Sequence, residues 1–168
     1  MIGTAPPSGD DPVIASIRNN IVFEKLIVSV LIVAGASAVA HFVIALAVSS
    51  ASNALTIGAA GTALFNAIGF SCLFFLAGFA SALAVGIPLF RLMERAKIRD
   101  ARPYLAASTV VSLLILAALG TAPSFEAPAR LLYVAPGLAA SLLFARKMQP
   151  FWRAAERAEA PPVATLLH

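Results

Sequence analysis

Leu26-Ile-Val-Ser-Val-Leu-Ile-Val-Ala-Gly-Ala-Ser-Ala-Val-Ala-His-Phe-Val-Ile-Ala-Leu-Ala-Val-Ser49 is the stretch that decides the fold class. It contains no Asp, Glu, Lys or Arg, and a single histidine, His41. A helix needs about 20 mostly apolar residues to cross a hydrocarbon core of about 30 Å, and this run exceeds that length. It is also longer than the roughly 7–15 apolar residues of a signal-peptide core. The polar head before it carries Asp10, Asp11 and Glu24, which a cleavable signal would lack. The run therefore predicts an uncleaved membrane-spanning helix.

Working outward, three further uncharged runs follow. The region from Ser49 to Phe90 carries no charge, but its opening, Ser50 to Gly61, is small and polar. That opening reads as a loop or half-helix, and the second span as about 64–90. At 1.5 Å per residue such a span is roughly 40 Å long, so it tilts or projects. The third run is 104–121 and the fourth 128–145. Backbone polar groups in lipid must pair within the segment, which favours helices, and the strict alternation of a membrane β-barrel is absent. The expected fold is all-α: a polytopic membrane protein of four transmembrane helices occupying 26–147.

The whole composition agrees. The chain has 168 residues, 60% of them hydrophobic and 12% charged. Soluble domains carry about 25% charged residues, so half the usual charge does not cover a water-soluble globule. Disorder throughout is excluded by the same hydrophobicity. A lone cysteine, Cys72, excludes a disulfide framework within the chain, and its apolar setting reads as that of a small core hydrophobe.

Basic residues set the orientation. Lys and Arg in short loops mark the cytoplasmic side. Eleven of the 12 basic residues fall in the N-terminal segment, the 91–103 connection and the C-terminal tail; Arg130 alone falls on the other side. Both termini are expected in the cytoplasm. Tyr104, Phe151, Trp152, Phe125 and Tyr133 lie near the span ends, where aromatic belts form.

The flanks are less apolar. Residues 1–11, with Pro6-Pro7-Ser8-Gly9, read as disordered. Asp11-Pro12 resembles a helix start, and Val13, Ile14, Ile17 and Ile21 follow at helical spacing. Residues 12–25 thus read as a juxtamembrane amphipathic segment, lying on the inner leaflet or running into the first span. Residues 148–168 read as a cytoplasmic tail in which Pro150 opens a short helix and Pro161-Pro162 stops it.

Candidate sites are few. His41 is the one ionisable side chain well inside a span, roughly 24 Å along the helix from Lys25. Burying an ionisable group in lipid is expensive, so it marks an intramembrane polar site, with Tyr133 at similar depth as its hydrogen-bond partner and Asn66 as a second candidate. Gly78, Ala82 and Gly86 repeat every fourth residue, as do Gly137 and Ser141; small residues at that spacing let helix backbones approach. Arg91, Arg95, Lys97, Arg99 and Arg102 form a basic cluster suited to lipid headgroups or a protein partner. Glu24 is placed to pair with it. Glu126 and Arg130 suit a pair one turn apart. Pro136 is expected to kink the fourth helix and Pro88 to end or bend the second.

Catalytic residues are not found: there is no zinc motif, P-loop, dinucleotide fingerprint or nucleophile elbow, and every carboxylate lies in a loop or tail. The sequence calls for no metal and no cofactor. Its basicity fits a membrane surface, and no nucleic-acid-binding motif accompanies it. The expected partners are the lipid bilayer and either a second copy or another membrane protein.

Val85-Gly-Ile-Pro-Leu-Phe-Arg, the basic loop after it, Tyr104, and Gly137-Leu-Ala-Ala-Ser141 together resemble small four-span bacterial inner-membrane proteins. The resemblance covers about 64–147. It implies architecture and a bacterial inner membrane, and no activity. The expectation is a non-enzymatic inner-membrane protein, an accessory or assembly subunit. The alternative is a small oligomeric transporter, channel or lipid-translocating protein using His41.

Overall fold

The computed structural model describes residues 12–52, 54, 56–120 and 132–159. Among these residues all regular structure is helical, with no strand. Helix α1 spans Pro12–Ala51 in 40 residues. The juxtamembrane segment and the first apolar run are therefore one continuous helix, with proline tolerated at its first position because no intrahelical N–H is needed there. Ser29, fully buried, donates to the Lys25 carbonyl at 2.7 Å, so its hydroxyl costs the helix interior nothing.

Helix α2 spans Ile57–Ser81 and starts earlier than the composition suggested. The reason is local: Thr56 is its N-cap, and its Oγ1 accepts from the Ala59 N–H at 3.1 Å. Ile57 to Gly61, expected as a loop or half-helix outside the span, is the start of α2 itself.

A π turn, Ala82–Gly86, joins α2 to α3, Ile87–Arg95. The Ile87 N–H reaches back five residues to the Ala82 carbonyl. Pro88 follows directly in the first turn of α3. Proline has no N–H and its ring crowds the preceding turn, and widening that turn accommodates both defects. The helix thus passes through Pro88 instead of ending there.

The chain then reverses. Lys97 N–H donates to the Glu94 carbonyl and Ile98 N–H to the Met93 carbonyl, the paired bonds of a Schellman motif, with Lys97 at φ +55° in the left-handed position. Helix α4, Arg102–Ala118, begins six residues after α3 ends, with Asp100 Oδ1 accepting from the Arg102 N–H. Gly120, φ +66°, closes it.

Residues 132–134 form a 3₁₀ turn, and α5 spans Ala135–Glu159. Two expectations are corrected here. Pro136 lies in the first turn of α5, where a missing N–H breaks no bond, so it is not the mid-helix kink that was predicted. Pro150 does not open a separate helix but lies inside α5. Residues 1–11 and 160–168, Glu126, Arg130 and Phe125 lie outside the described residues.

Helix α1 packs on α2 and on α5, and α4 packs on α5. The order across the bundle is α2, α1, α5, α4, which leaves α2 and α4 facing each other across a cleft. The main core lies at the end carrying the basic 91–101 connection, the basic end. There Val22, Leu26, Ala82, Phe90, Tyr104, Phe144 and Met148 are buried together. A smaller cluster of Val30, Val33 and Ala140 continues toward the opposite end, with Phe74, Phe75 and Leu143 packed on it.

Two stretches, Arg18–Ala51 and Ile57–Arg95, are long and apolar enough to cross a membrane. Only 17% and 11% of their most apolar windows are buried inside the protein. A core helix of a soluble protein is apolar because neighbours cover it; these helices are apolar and uncovered. Helix α4 falls just short of a span in length, and α5 turns charged at Arg146-Lys147 after a short apolar half.

Candidate functional site

His41 on α1 is half-buried and stacks on Phe70 of α2, with ring centroids 5.5 Å apart and planes 13° from parallel. Phe70 in turn meets Tyr133 at 6.0 Å. The structure thus brings His41 and Tyr133 against the same phenylalanine. The expected hydrogen bond between them is not made: neither side chain has a hydrogen-bond partner among the described residues. Asn66, one turn from Phe70, lies on the exposed face of α2. The aromatic bridge was missed because Phe70 is one of 11 phenylalanines and nothing in its spacing singles it out.

The small-residue repeats sit at helix contacts. A methyl group on Gly78 would come within 2.7 Å of Val30 Cγ1, and one on Gly86 within 3.4 Å of Leu26 Cδ1. Ala82, between them, is buried. This row therefore receives α1 within one chain. A methyl group on Gly137 would collide with the Ser112 hydroxyl, so this glycine admits α4, while Ser141 lines the cleft. One polar contact between helices went unforeseen: Ser71 Oγ donates to the Ala34 carbonyl at 2.9 Å, tying α2 to α1.

At the basic end, the ion pair is the reverse of that expected. Glu24 pairs with its neighbour Lys25 at 3.0 Å, whereas Glu94 of α3 reaches Arg18 of α1 at 3.0 Å. Asp100 pairs with Arg102 at 3.5 Å. Arg91, Arg95 and Lys97 are exposed and Arg99 is half-buried. Tyr104, expected in an interfacial belt, is buried in the core instead: it meets Phe144 edge-on at 5.3 Å and stacks on Trp152 at 6.0 Å. Cys72, expected in the core, is exposed.

A cleft between α2 and α4, about 440 Å³ in volume, is walled by all four long helices. It runs from Leu119 and Tyr133 at the opposite end to Leu89 and Tyr104 at the basic end. Of its hydroxyls, Ser81 donates to the Ala77 carbonyl and Ser108 to the Leu105 carbonyl, and those of Ser112, Ser141, Tyr104 and Tyr133 also belong to its lining. No buried side-chain polar atom among the described residues lacks a partner. The lining of the cleft is mostly apolar. A second apolar pocket of about 310 Å³ opens at the basic end, rimmed by Arg18, Glu94 and Arg99. Tyr104 lines both and stands between them. No three His, Cys, Asp or Glu side chains converge as a metal site among the described residues.

No family model matches the chain, and no known protein or solved structure compared with it matches either.

Proposed function

We propose that this chain is a non-enzymatic four-span protein of a bacterial inner membrane, with both termini in the cytoplasm, serving as an accessory or assembly subunit for another membrane protein. The observation that carries this reading is the combination of two helices long enough to cross a bilayer with apolar faces that the rest of the chain leaves uncovered. Leu31, Val39, Val43 and Val48 on α1, and Phe65, Leu73 and Leu76 on α2, are all at least half exposed. Lipid or partner helices must cover them. The basic residues clustered at one end support the orientation. The hairpin of α4 and α5 completes the third and fourth spans in this reading, with residues 121–131 as the outer connection.

His41 supports the accessory role over transport. Its ring is engaged in stacking on Phe70, and the main cleft is walled mostly by apolar groups, a lining unlike that of a path for a polar solute. The alternative, an oligomeric transporter using His41, is tested in proteoliposomes: it requires His41→Ala to abolish a measured flux. The accessory reading is tested by crosslinking in native membranes followed by purification. A defined membrane-protein partner is expected, and recovery of this chain alone would sink the idea.

A further inference from the structure

The apolar half of α5 stops at Arg146, and Gln149 and Arg153 follow three and seven residues later. At 3.6 residues per turn these three positions share one face of the helix. Arg146 and Arg153 stand about 10 Å apart along its axis, a gap that two long side chains can close on one ion.

The fold adds a third arginine from another element. Arg99 belongs to the connection after α3, where Lys97 in the left-handed position turns the chain back. Arg99, Arg146, Gln149 and Arg153 all line one depression between that connection and α5. Arg99 is half-buried and the other three are exposed, so a ligand reaches them from water. Two acids, Asp100 and Glu156, share the lining. Asp100 is drawn off by a cation outside it: its carboxylate accepts from the Arg102 N–H and pairs with the Arg102 guanidinium at 3.5 Å. That leaves Glu156 against three arginines, and the depression carries a surplus of positive charge.

The kind of donor narrows the anion. Three planar guanidinium forks and an amide offer many N–H groups to one ligand. A carboxylate has two oxygens to accept them. A phosphate has three or four, carries up to two charges, and matches the fork geometry of arginine.

We propose that this depression binds a phosphate group, held by Arg146 and Arg153 of α5 and by Arg99 across from them, with Gln149 as a neutral donor. An anionic lipid headgroup and a soluble phosphate ester present the same chemistry. The site stands without the membrane-spanning reading above, and only the lipid source rests on it; in that reading Leu142 and Ala145, at the apolar edge of the depression, lie toward the bilayer.

The test is isothermal titration calorimetry of the full chain in nonionic detergent. The probes are dioctanoyl phosphatidic acid, glycerol 3-phosphate, a hexaglutamate peptide, and dioctanoylglycerol, which has the tails without the phosphate. Saturable binding of phosphatidic acid, one per chain, is expected, and none of dioctanoylglycerol. Arg146→Gln and, independently, Arg153→Gln are expected to weaken it about tenfold, the loss of one hydrogen bond between charged groups. Arg157→Gln removes the same charge from the same helix outside the lining and is expected to leave the affinity unchanged. All three side chains are exposed, so the variants are expected to melt with the parent. Equal affinity for glycerol 3-phosphate identifies a soluble ester as the ligand, and binding of phosphatidic acid alone identifies a headgroup; either result supports the site. No saturable binding of either phosphate probe, an affinity unchanged in both Arg146→Gln and Arg153→Gln, equal weakening by Arg157→Gln, or hexaglutamate binding as tightly as phosphatidic acid would overturn the proposal.

Discussion

Gly78 carries more structural consequence than any charged residue in the chain. Its hydrogen faces Val30, which is buried, and a methyl group there has no room. Gly78→Ala is expected to cost about 1–3 kcal/mol, the usual penalty of overpacking, and Val30→Ala in the same chain is expected to recover part of it. Thermal unfolding in detergent across the four members of that cycle measures the coupling. Ser71→Ala removes the bond to Ala34 and is expected to cost about 0.6 kcal/mol, the average for such bonds between membrane helices. The glycine row was legible because Gly78, Ala82 and Gly86 repeat every fourth residue. The facing residues were not, since Val30 is one more aliphatic in a uniformly aliphatic run. His41 was legible as the lone ionisable group of its span, yet its partner turned out to be an aromatic face rather than a phenol. Stacking on Phe70 covers a face of the ring, which sits half-buried rather than sealed in the core.

At the scale of the element, boundaries followed capping chemistry more closely than hydropathy. Thr56 starts α2 well before the strongly apolar run begins, and the π turn carries the helix through Pro88. The basic end is where the elements lock. Phe144 is 1% exposed, and Phe144→Ala is expected to cost about 3–5 kcal/mol through the cavity it leaves. Breaking the Arg18–Glu94 pair by Glu94→Gln is expected to cost less than about 1 kcal/mol, because both groups are partly exposed to water. Trp152 is the only tryptophan and stacks on Tyr104, so its fluorescence reports on this core alone. Tyr104→Ala is expected to shift Trp152 emission to the red, and a spectrum unchanged by that substitution would contradict the packing.

For the whole molecule, the order α2, α1, α5, α4 leaves the bundle open on one side, and the open side is the cleft. The proposed topology makes a direct prediction: alkaline phosphatase fused after Ser52 is expected to be active outside the cytoplasm, and the same enzyme fused after Glu159 inactive. The reverse pattern would invert the orientation. The sequence by itself determined that the chain is helical, that two stretches are long and apolar enough to cross a membrane, and that its positive charge gathers in a few segments. Those properties add residue by residue along the chain. Only the tertiary structure decided which faces meet, that Tyr104 is core and Cys72 surface, and that a slot remains between α2 and α4. The reason is that α1 beyond Lys25, and all of α2, carry no charge on any side. The outward face is as greasy as the inward one, so no hydrophobic stripe marks the packing surface, and the fit of glycine against valine selects it instead.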